Sequence, residues 1–254
     1  MSMPGLKPIV LYDIPCVVQG QPWSPKTMIT RYCLTFKGLP FQTVWLECPE
    51  IKPFYEQHSL APTTLRVIKG TATPMHTLPV IMDPNTDRLI TDSFVIAQYL
   101  DEQYPDTPKV MPNRITALVY VFQTALQNTI MGSVLLASFR GAQKLNPVSK
   151  EYFIRTRTEQ FGIPWEQFVA PEKREQQWNA VRAACDTMDG WYTTSSGQFL
   201  LGDTPCFADF MVAGVYKWIQ YYFEDQEWEE VKRWNEGRWM RLVEATDRYL
   251  DCSK

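Results

Sequence analysis

Histidine is scarce in this chain of 254 residues, where His58 and His76 are the only two. A catalytic triad or a histidine-based metal site therefore has few residues to draw on, and we expect no metal. The six cysteines are scattered and include no Cys-x-x-Cys pair, which argues against a disulfide scaffold and a structural zinc site. We expect these cysteines to be reduced, as is usual in the cytoplasm.

Long apolar runs and an excess of positive charge are also missing. No stretch of eighteen apolar residues occurs, and no basic segment followed by an apolar one opens the chain. We therefore expect neither a membrane span nor a cleaved signal. The formal net charge of −3 gives no support to nucleic-acid binding, which needs a basic surface.

Aromatic residues, in contrast, are abundant. The chain holds nine tryptophans and thirteen phenylalanines, within an ordinary globular composition of 45% hydrophobic and 21% charged residues. Packing of a large core explains most of them, and an aromatic-lined cleft is the second interpretation. The length suits one large domain or two small ones.

The first hundred residues alternate between strand and helix patterns. Two short apolar runs predict strands, and between them Ser24 as an N-cap and Pro25 at the first helical position predict a helix that ends at Gly38. A short irregular helix, a polar segment without structure, a hairpin and a last helix are predicted to follow. The predicted strands are residues 7–14 and 41–47, the irregular helix is 49–60, the unstructured segment is 61–75, the hairpin is 79–82 with 88–91, and the last helix is 92–103.

This order of elements is typical of a thioredoxin-like α/β domain, which we assign to residues 1–104. A proline-rich linker over residues 105–112 separates it from residues 113–254, where only helical periodicity occurs. We expect an all-helical bundle of about five helices there. Their predicted ranges are residues 113–144, 149–161, 171–193, 207–222 and 227–250.

Leu78-Pro79 and Asp92-Ser93 together predict a site for a peptide-like anion. A proline at a strand start removes a ladder donor, and a cis Leu78-Pro79 bond leaves the backbone of Leu78 free to pair with a short peptide. Asp92 and Ser93 lie where the first N–H groups of a helix have no internal partners, which favours a carboxylate, while Asp92 suits an ammonium group. A γ-glutamyl peptide has both features.

Ser24 is the residue in this layout that suits thiol chemistry. A hydroxyl donor at a helix N-terminus favours a thiolate: a hydrogen bond to a charged group contributes roughly 1.5–3 kcal/mol, and the helix end adds roughly 0.3–1. At about 1.36 kcal/mol per pKa unit, a thiol with a pKa near ~8.5 falls to about 6–7. The alternative is that Ser24 only caps the helix, since serine caps are common.

Two further residues have a structural and a functional interpretation. Asp209, three residues after Cys206, resembles the acidic partner of a capping box, so we interpret it as structural. His76, just before Leu78, is either a ligand contact or an ordinary surface histidine.

Several motifs together resemble those of cytosolic glutathione transferases over nearly the whole chain. They are Trp-Ser-Pro-Lys-Thr at residues 23–27, Lys-Gly-Leu-Pro-Phe at 37–41, Leu-Pro-Val-Ile at 78–81, Asp-Ser-Phe-Val-Ile-Ala-Gln-Tyr-Leu at 92–100 and Phe-Ala-Asp-Phe at 207–210. The chain is most similar to the serine-type fungal-specific class A, which is related to bacterial β-etherases. It differs from the family pattern in two places: Asp92 stands where many members have glutamate, and Cys206 replaces a hydroxyl residue.

The resemblance implies an N-terminal thioredoxin-like domain followed by an all-helical domain, and an enzyme that uses glutathione without a metal. Ser24 would activate the glutathione sulfur for attack on hydrophobic aromatic electrophiles, peroxides or ether and thioether substrates. Leu78, ahead of cis Pro79, would pair with the cysteinyl unit, Asp92 and Ser93 would hold the γ-glutamyl end, and His76 would touch the glycine end. The implied walls of the hydrophobic pocket are Trp23, Tyr120, Phe122, Leu126 and Met131.

The same resemblance implies a cytoplasmic homodimer with a detoxification role. An alternative is a ligandin-type protein that binds aromatic or phenolic compounds with little turnover. A partner-binding protein on the same scaffold is a third interpretation, because a fold does not fix a function.

Overall fold

The N-terminal part of the chain forms a small mixed sheet with helices on both faces. The structure is a computed structural model that describes residues 5–68 and 70–250. Its first domain consists of β1 (Ile9–Asp13), α1 (Pro25–Phe36), β2 (Phe41–Trp45), α2 (Ile51–Gln57), β3 (Thr64–Ile68), β4 (Thr71–Met75), β5 (Val80–Asp83), β6 (Arg88–Thr91) and α3 (Ser93–Gln103).

The main sheet has the strand order β2-β1-β5-β6. β1 and β2 run parallel because α1 connects them, whereas β5 pairs antiparallel with both β1 and β6. A buried ion pair fixes α1 to the sheet: Arg31 Nε donates to Asp13 Oδ2 at 2.8 Å, and both side chains are fully buried. The fold class predicted for this domain is confirmed.

The prediction of an unstructured segment over residues 61–75 is wrong. β3 and β4 form a two-stranded antiparallel hairpin there, which turns through the left-handed Gly70. Three of the five side chains in each strand are exposed, among them the apolar Leu65 and Val67. Because no side chain of either strand is buried, the apolar residues of this segment do not mark a face that packs on the core, and the segment resembles a loop in sequence.

The rest of the chain is helical, as predicted, but it has more helices than five. They are α4 (Thr116–Ile130), α5 (Val134–Ala142), α6 (Pro147–Phe161), α7 (Arg174–Tyr192), α8 (Phe207–Tyr222), α9 (Asp225–Val231) and α10 (Arg238–Asp247). A tight turn at Met131–Ser133 separates α4 from α5, and left-handed Asn235 and Glu236 separate α9 from α10. The apolar residues keep their helical spacing on both sides of each break. The sequence pattern therefore predicts one long helix where the structure has two shorter ones.

The two domains pack through α1 and α8. The ring of Tyr32 stacks on that of Phe210, with centroids 5.4 Å apart. Gly214 permits close approach, since a Cβ at that position would lie 3.0 Å from the carbonyl oxygen of Pro25. The start of α1 therefore rests on the helical domain.

No helix in residues 5–68 and 70–250 is long and apolar enough to cross a membrane. In the same residues, no three histidine, cysteine, aspartate or glutamate side chains are grouped so that they could hold a metal ion. The five cysteines described there are unpaired and buried, and Cys252 lies outside the described residues.

Candidate functional site

Three segments meet at one end of the main sheet. Val80, the first residue of β5, pairs with Thr91 on one side and with Tyr12 on the other. The Leu78-Pro79 peptide therefore lies beside Asp92, which directly follows Thr91. The chain leaving β1 reaches the same end, where the Trp23 N–H donates to the Ile14 carbonyl oxygen at 3.0 Å.

Ser24 caps α1. Its backbone is extended, its Oγ accepts a hydrogen bond from the Lys26 N–H at 3.2 Å, and Pro25 occupies the first helical position. The residue is 8% exposed. The capping role considered for Ser24 is thus present in the structure, and its hydroxyl hydrogen remains available to an incoming acceptor because the hydroxyl acts only as an acceptor in this bond.

Three hydrogen bonds join the helical domain to Pro22 and Trp23, the two residues before Ser24. The Trp218 indole N–H donates to the Trp23 carbonyl at 2.9 Å, the Tyr222 hydroxyl donates to the Pro22 carbonyl at 2.9 Å, and the Trp23 indole N–H donates to the Gly141 carbonyl at 2.8 Å. Sequence reasoning missed these contributions of Trp218, Tyr222 and Gly141. The tryptophan and tyrosine carried no signal beyond their place in an apolar helix.

The Leu78-Pro79 peptide bond is cis. Leu78 is buried, yet neither its N–H nor its carbonyl makes a hydrogen bond to another residue that the structure describes. The preceding residue is fixed, because the Thr77 carbonyl accepts from the Tyr55 hydroxyl at 2.6 Å. His76 packs edge-on against the Tyr55 ring, with centroids 5.0 Å apart, so it lies close to this segment.

Asp92 is the N-cap of α3 and has a positive φ of 70°. Its Oδ1 accepts from the N–H groups of Phe94 and Val95 at 2.9 and 3.2 Å, whereas its Oδ2 has no hydrogen bond within residues 5–68 and 70–250. Ser93 is buried next to it. Burial lowers the pKa of Lys26, and the negative charge of Asp92 opposes this shift, so the starts of α1 and α3 are electrostatic neighbours.

The residues predicted to wall the pocket do not surround one cavity. Tyr120 is 58% exposed and its ring meets the edge of Phe94, whereas Phe122 packs on Trp191 of α7. A helix turns by about 100° per residue, so positions 120 and 122 point in nearly opposite directions. Leu126 is buried on the side of Phe122, Met131 is exposed, and Trp23 is buried between the domains.

Asp209 sits at the start of α8 with all its contacts inside the helical domain. Its Oδ2 accepts from the Cys206 N–H at 2.9 Å and from the Cys206 thiol at 3.1 Å, and its Oδ1 accepts from the Leu200 N–H and the Tyr192 hydroxyl. The thiol of Cys206 thus takes the place of the hydroxyl in a capping box. Burial raises the pKa of this thiol, and the charge of Asp209 adds to the effect.

Both domains are similar to domains of known proteins. Sequence models described as the N-terminal and C-terminal domains of glutathione S-transferase match residues 23–103 and 117–249. The glutathione S-transferase-like protein ustS of Aspergillus flavus is 28% identical over 267 aligned positions, which cover 96% of this chain and 91% of the relative.

Solved structures are similar over the same extent. A glutathione S-transferase of Ceriporiopsis subvermispora in complex with glutathione has a TM-score of 0.88 and 34% identity, covering 95% of this chain and 99% of that chain. Glutathione transferase GSTFuA3 from Phanerochaete chrysosporium has a TM-score of 0.85 and 33% identity, covering 96% and 98%.

Proposed function

Because the chain belongs to the glutathione S-transferase family and is a glutathione transferase by that membership, we propose that it activates the thiol of bound glutathione with Ser24. One observation carries this proposal: the N-capped start of α1, the cis Leu78-Pro79 peptide and the N-capped start of α3 lie at one end of the sheet. The glutathione bound in the C. subvermispora enzyme supports the choice of ligand.

Each of these segments is proposed to bind a different part of glutathione. The unpaired Oδ2 of Asp92 takes the γ-glutamyl ammonium, and the N–H groups near Ser93 take its carboxylate. The free backbone N–H and carbonyl of Leu78 pair with the cysteinyl unit. His76 meets the glycine end, and the Ser24 hydroxyl donates to the sulfur, which stabilises the thiolate.

The second substrate is proposed to be a hydrophobic aromatic electrophile, a peroxide, or an ether or thioether. Tyr120 contacts Phe94, two residues after Asp92, so the exposed side of its ring is available to an aromatic acceptor near the glutathione. Phe122 and Leu126 have no part in this proposal, since they pack within the helical domain. We also propose a cytoplasmic location, where thiols stay reduced.

A homodimer is proposed on the basis of an exposed apolar face on α4. Leu118 and Val121 lie three residues apart on that face and are 70% and 65% exposed. Val95 of α3 is also an exposed apolar side chain. Contiguous apolar surface of this kind marks protein interfaces.

The role of Ser24 is tested by titrating the thiolate absorbance of bound glutathione against pH. We expect Ser24→Ala to raise the pKa of the bound thiol by about one to two units and to slow conjugation roughly tenfold at pH 6.5. Ser24→Gly has no side-chain donor and costs only a few tenths of a kcal/mol at an N-cap, so it separates activation from helix stability. Ser133→Ala removes a serine hydroxyl that makes no capping hydrogen bond at the start of α5, and serves as a control for the substitution itself.

The assignment of Ser24 fails if neither Ser24→Ala nor Ser24→Gly changes the titration or the rate. Binding of phenolic dyes that survives both substitutions, together with negligible turnover by the unmodified protein, would favour the ligandin-type function instead.

A further inference from the structure

Two arginines without a carboxylate partner face each other across the border between the domains. Arg66 lies on β3 and Arg157 on α6, and both side chains are half-buried. No carboxylate oxygen of the described residues comes within 4.0 Å of either guanidinium. Arg66 donates to the neutral amide of Gln160 at 3.3 Å, and Arg157 lies over the Phe153 ring at 4.3 Å.

Other arginines shielded from solvent in this protein are neutralised. Arg31 pairs with Asp13, Arg140 with Glu224 and Glu227, and Arg238 with Asp189. On α6 itself, the more exposed Arg155 has Glu159 as a partner. Arg66 and Arg157 therefore differ from the other arginines that are shielded from solvent.

The charges of the two groups act on each other. Burial lowers the pKa of Arg157 to about 9, and the positive charge of Arg66 is the next contribution in the same direction. The other groups that face Arg157 are the Cys48 thiol, whose pKa is raised by burial, and the Tyr152 hydroxyl. Two like charges in such surroundings are unfavourable unless an anion joins them.

The pair also borders the proposed site. The Phe153 ring under Arg157 makes an edge contact with the Trp23 indole, with centroids 5.2 Å apart, and Trp23 directly precedes Ser24. A ligand held beside Ser24 that extends along α6 thus meets two guanidinium forks. This geometry suits a carboxylate, which accepts paired hydrogen bonds from arginine.

We propose that Arg66 and Arg157 form a carboxylate-binding site between β3 and α6, used by the ligand that is bound beside Ser24. The inference rests on the proposed function for the identity of that ligand. The carboxylate comes either from the glycine end of glutathione or from an acidic acceptor substrate.

The two sources are separated by matched acid and ester probes. Wild type, Arg66→Met, Arg157→Met and the control Arg155→Met are assayed with glutathione and its glycyl monoethyl ester, and with 4-chloro-3-nitrobenzoate and its methyl ester. We expect the KM of an acid probe to rise about 10- to 100-fold in the Arg66 and Arg157 variants, whereas the ester is unaffected. The arm that responds identifies the source. An equal effect on acid and ester in both arms, or no effect in either, overturns the proposal.

A measurement without turnover keeps this test independent of the role of Ser24. Inorganic sulfate at constant ionic strength should raise the melting temperature of the wild type and of Arg155→Met more than that of the Arg66→Met/Arg157→Met double variant, which keeps only the general stabilisation that sulfate gives to folded proteins. If catalysis proves absent while this difference persists, the proposed function fails and the anion site stands. If sulfate stabilises the double variant as much as the wild type, the anion site fails whatever the activity.

Discussion

The indole N–H of Trp218 in α8 donates a hydrogen bond of 2.9 Å to the carbonyl oxygen of Trp23, the residue directly before Ser24. The helical domain thereby fixes the backbone that presents the proposed catalytic serine. In the reverse direction, the Trp23 indole donates to Gly141 of α5. The position of Ser24 thus depends on both domains and not only on its own helix.

Trp218→Phe should loosen this attachment. The substitution leaves the buried carbonyl of Trp23 without its donor, which costs roughly 1–3 kcal/mol of unfolding free energy. Because Ser24 is the next residue in the chain, we expect the thiol pKa of bound glutathione to rise as well. Trp228→Phe, at an equally buried tryptophan of α9, controls for the loss of ring volume. Urea unfolding and the thiolate titration measure the two effects, and a pKa change of the same size in both variants would contradict this coupling.

Gly141→Ala should disturb the same contact by overpacking. A Cβ on residue 141 would lie 2.4 Å from Cζ2 of Trp218 and 3.3 Å from Cζ2 of Trp23, and neither rigid indole can yield easily. We expect a loss of about 1–3 kcal/mol in unfolding free energy. Gly190→Ala on α7 has open space at its Cβ and should instead gain up to about 1 kcal/mol. Equal melting temperatures for the two variants would rule out the close packing described here.

Local signals in the sequence were sufficient to predict the capped helix starts. The capping side chains of Ser24 and Asp92 bond to N–H groups only two or three residues later in the chain. Such local interactions can be predicted from a short stretch of sequence. The attachments of Trp218 and Tyr222 connect residues 195 and 200 positions apart, and no pattern within one segment encodes such pairing. The β3–β4 hairpin escaped prediction because neither strand has a buried face. The unpaired arginines could not be foreseen, since Arg66 lies in that same hairpin.

Ionisation of Asp83 should make the free energy of unfolding depend on pH. Burial alone raises the pKa of its carboxyl, but hydrogen bonds from Tyr104, Tyr99 and Asn85 outweigh burial and lower the pKa below its usual value. A carboxylate with a lower pKa in the folded state adds stability above its unfolded pKa, and this contribution is lost as pH falls through the folded pKa.

Asp83→Asn is therefore expected to be less stable than wild type at pH 7, by roughly 1–3 kcal/mol, and the difference should shrink below about pH 4. The exposed Asp87→Asn variant in the same turn is the control. Urea unfolding at pH 7 and pH 3 gives the comparison, and a stability difference that is independent of pH would exclude the carboxylate charge as its origin.

Charges on the exposed face of α4 should dissociate the proposed homodimer. Leu118→Lys combined with Val121→Glu places charged groups where apolar side chains would otherwise be covered, so the species with dimer mass should give way to monomer. Val148→Lys changes an exposed apolar residue at the start of α6 and should leave the mass unchanged. Light scattering after gel filtration reads the mass directly. If the wild type has the mass of a monomer, the proposed homodimer is wrong.

Asp92→Asn should separate the holding of glutathione from its activation. Asparagine can still cap α3 through its side-chain oxygen and tolerates the positive φ, so unfolding free energy should change by less than about 1 kcal/mol. It cannot neutralise the γ-glutamyl ammonium, and the loss of a charge-assisted hydrogen bond predicts a Kd for glutathione that is roughly tenfold higher or more.

Once glutathione is bound to Asp92→Asn at saturation, its thiol should titrate as in wild type, because Ser24 still donates to the sulfur. Ser24→Gly should show the opposite pattern, with nearly unchanged affinity and a raised thiol pKa. Calorimetry for Kd and thiolate absorbance for the pKa distinguish the two residues. If Asp92→Asn shifts the thiol pKa as much as Ser24→Gly does, the division of the site into a binding part and an activating part is wrong.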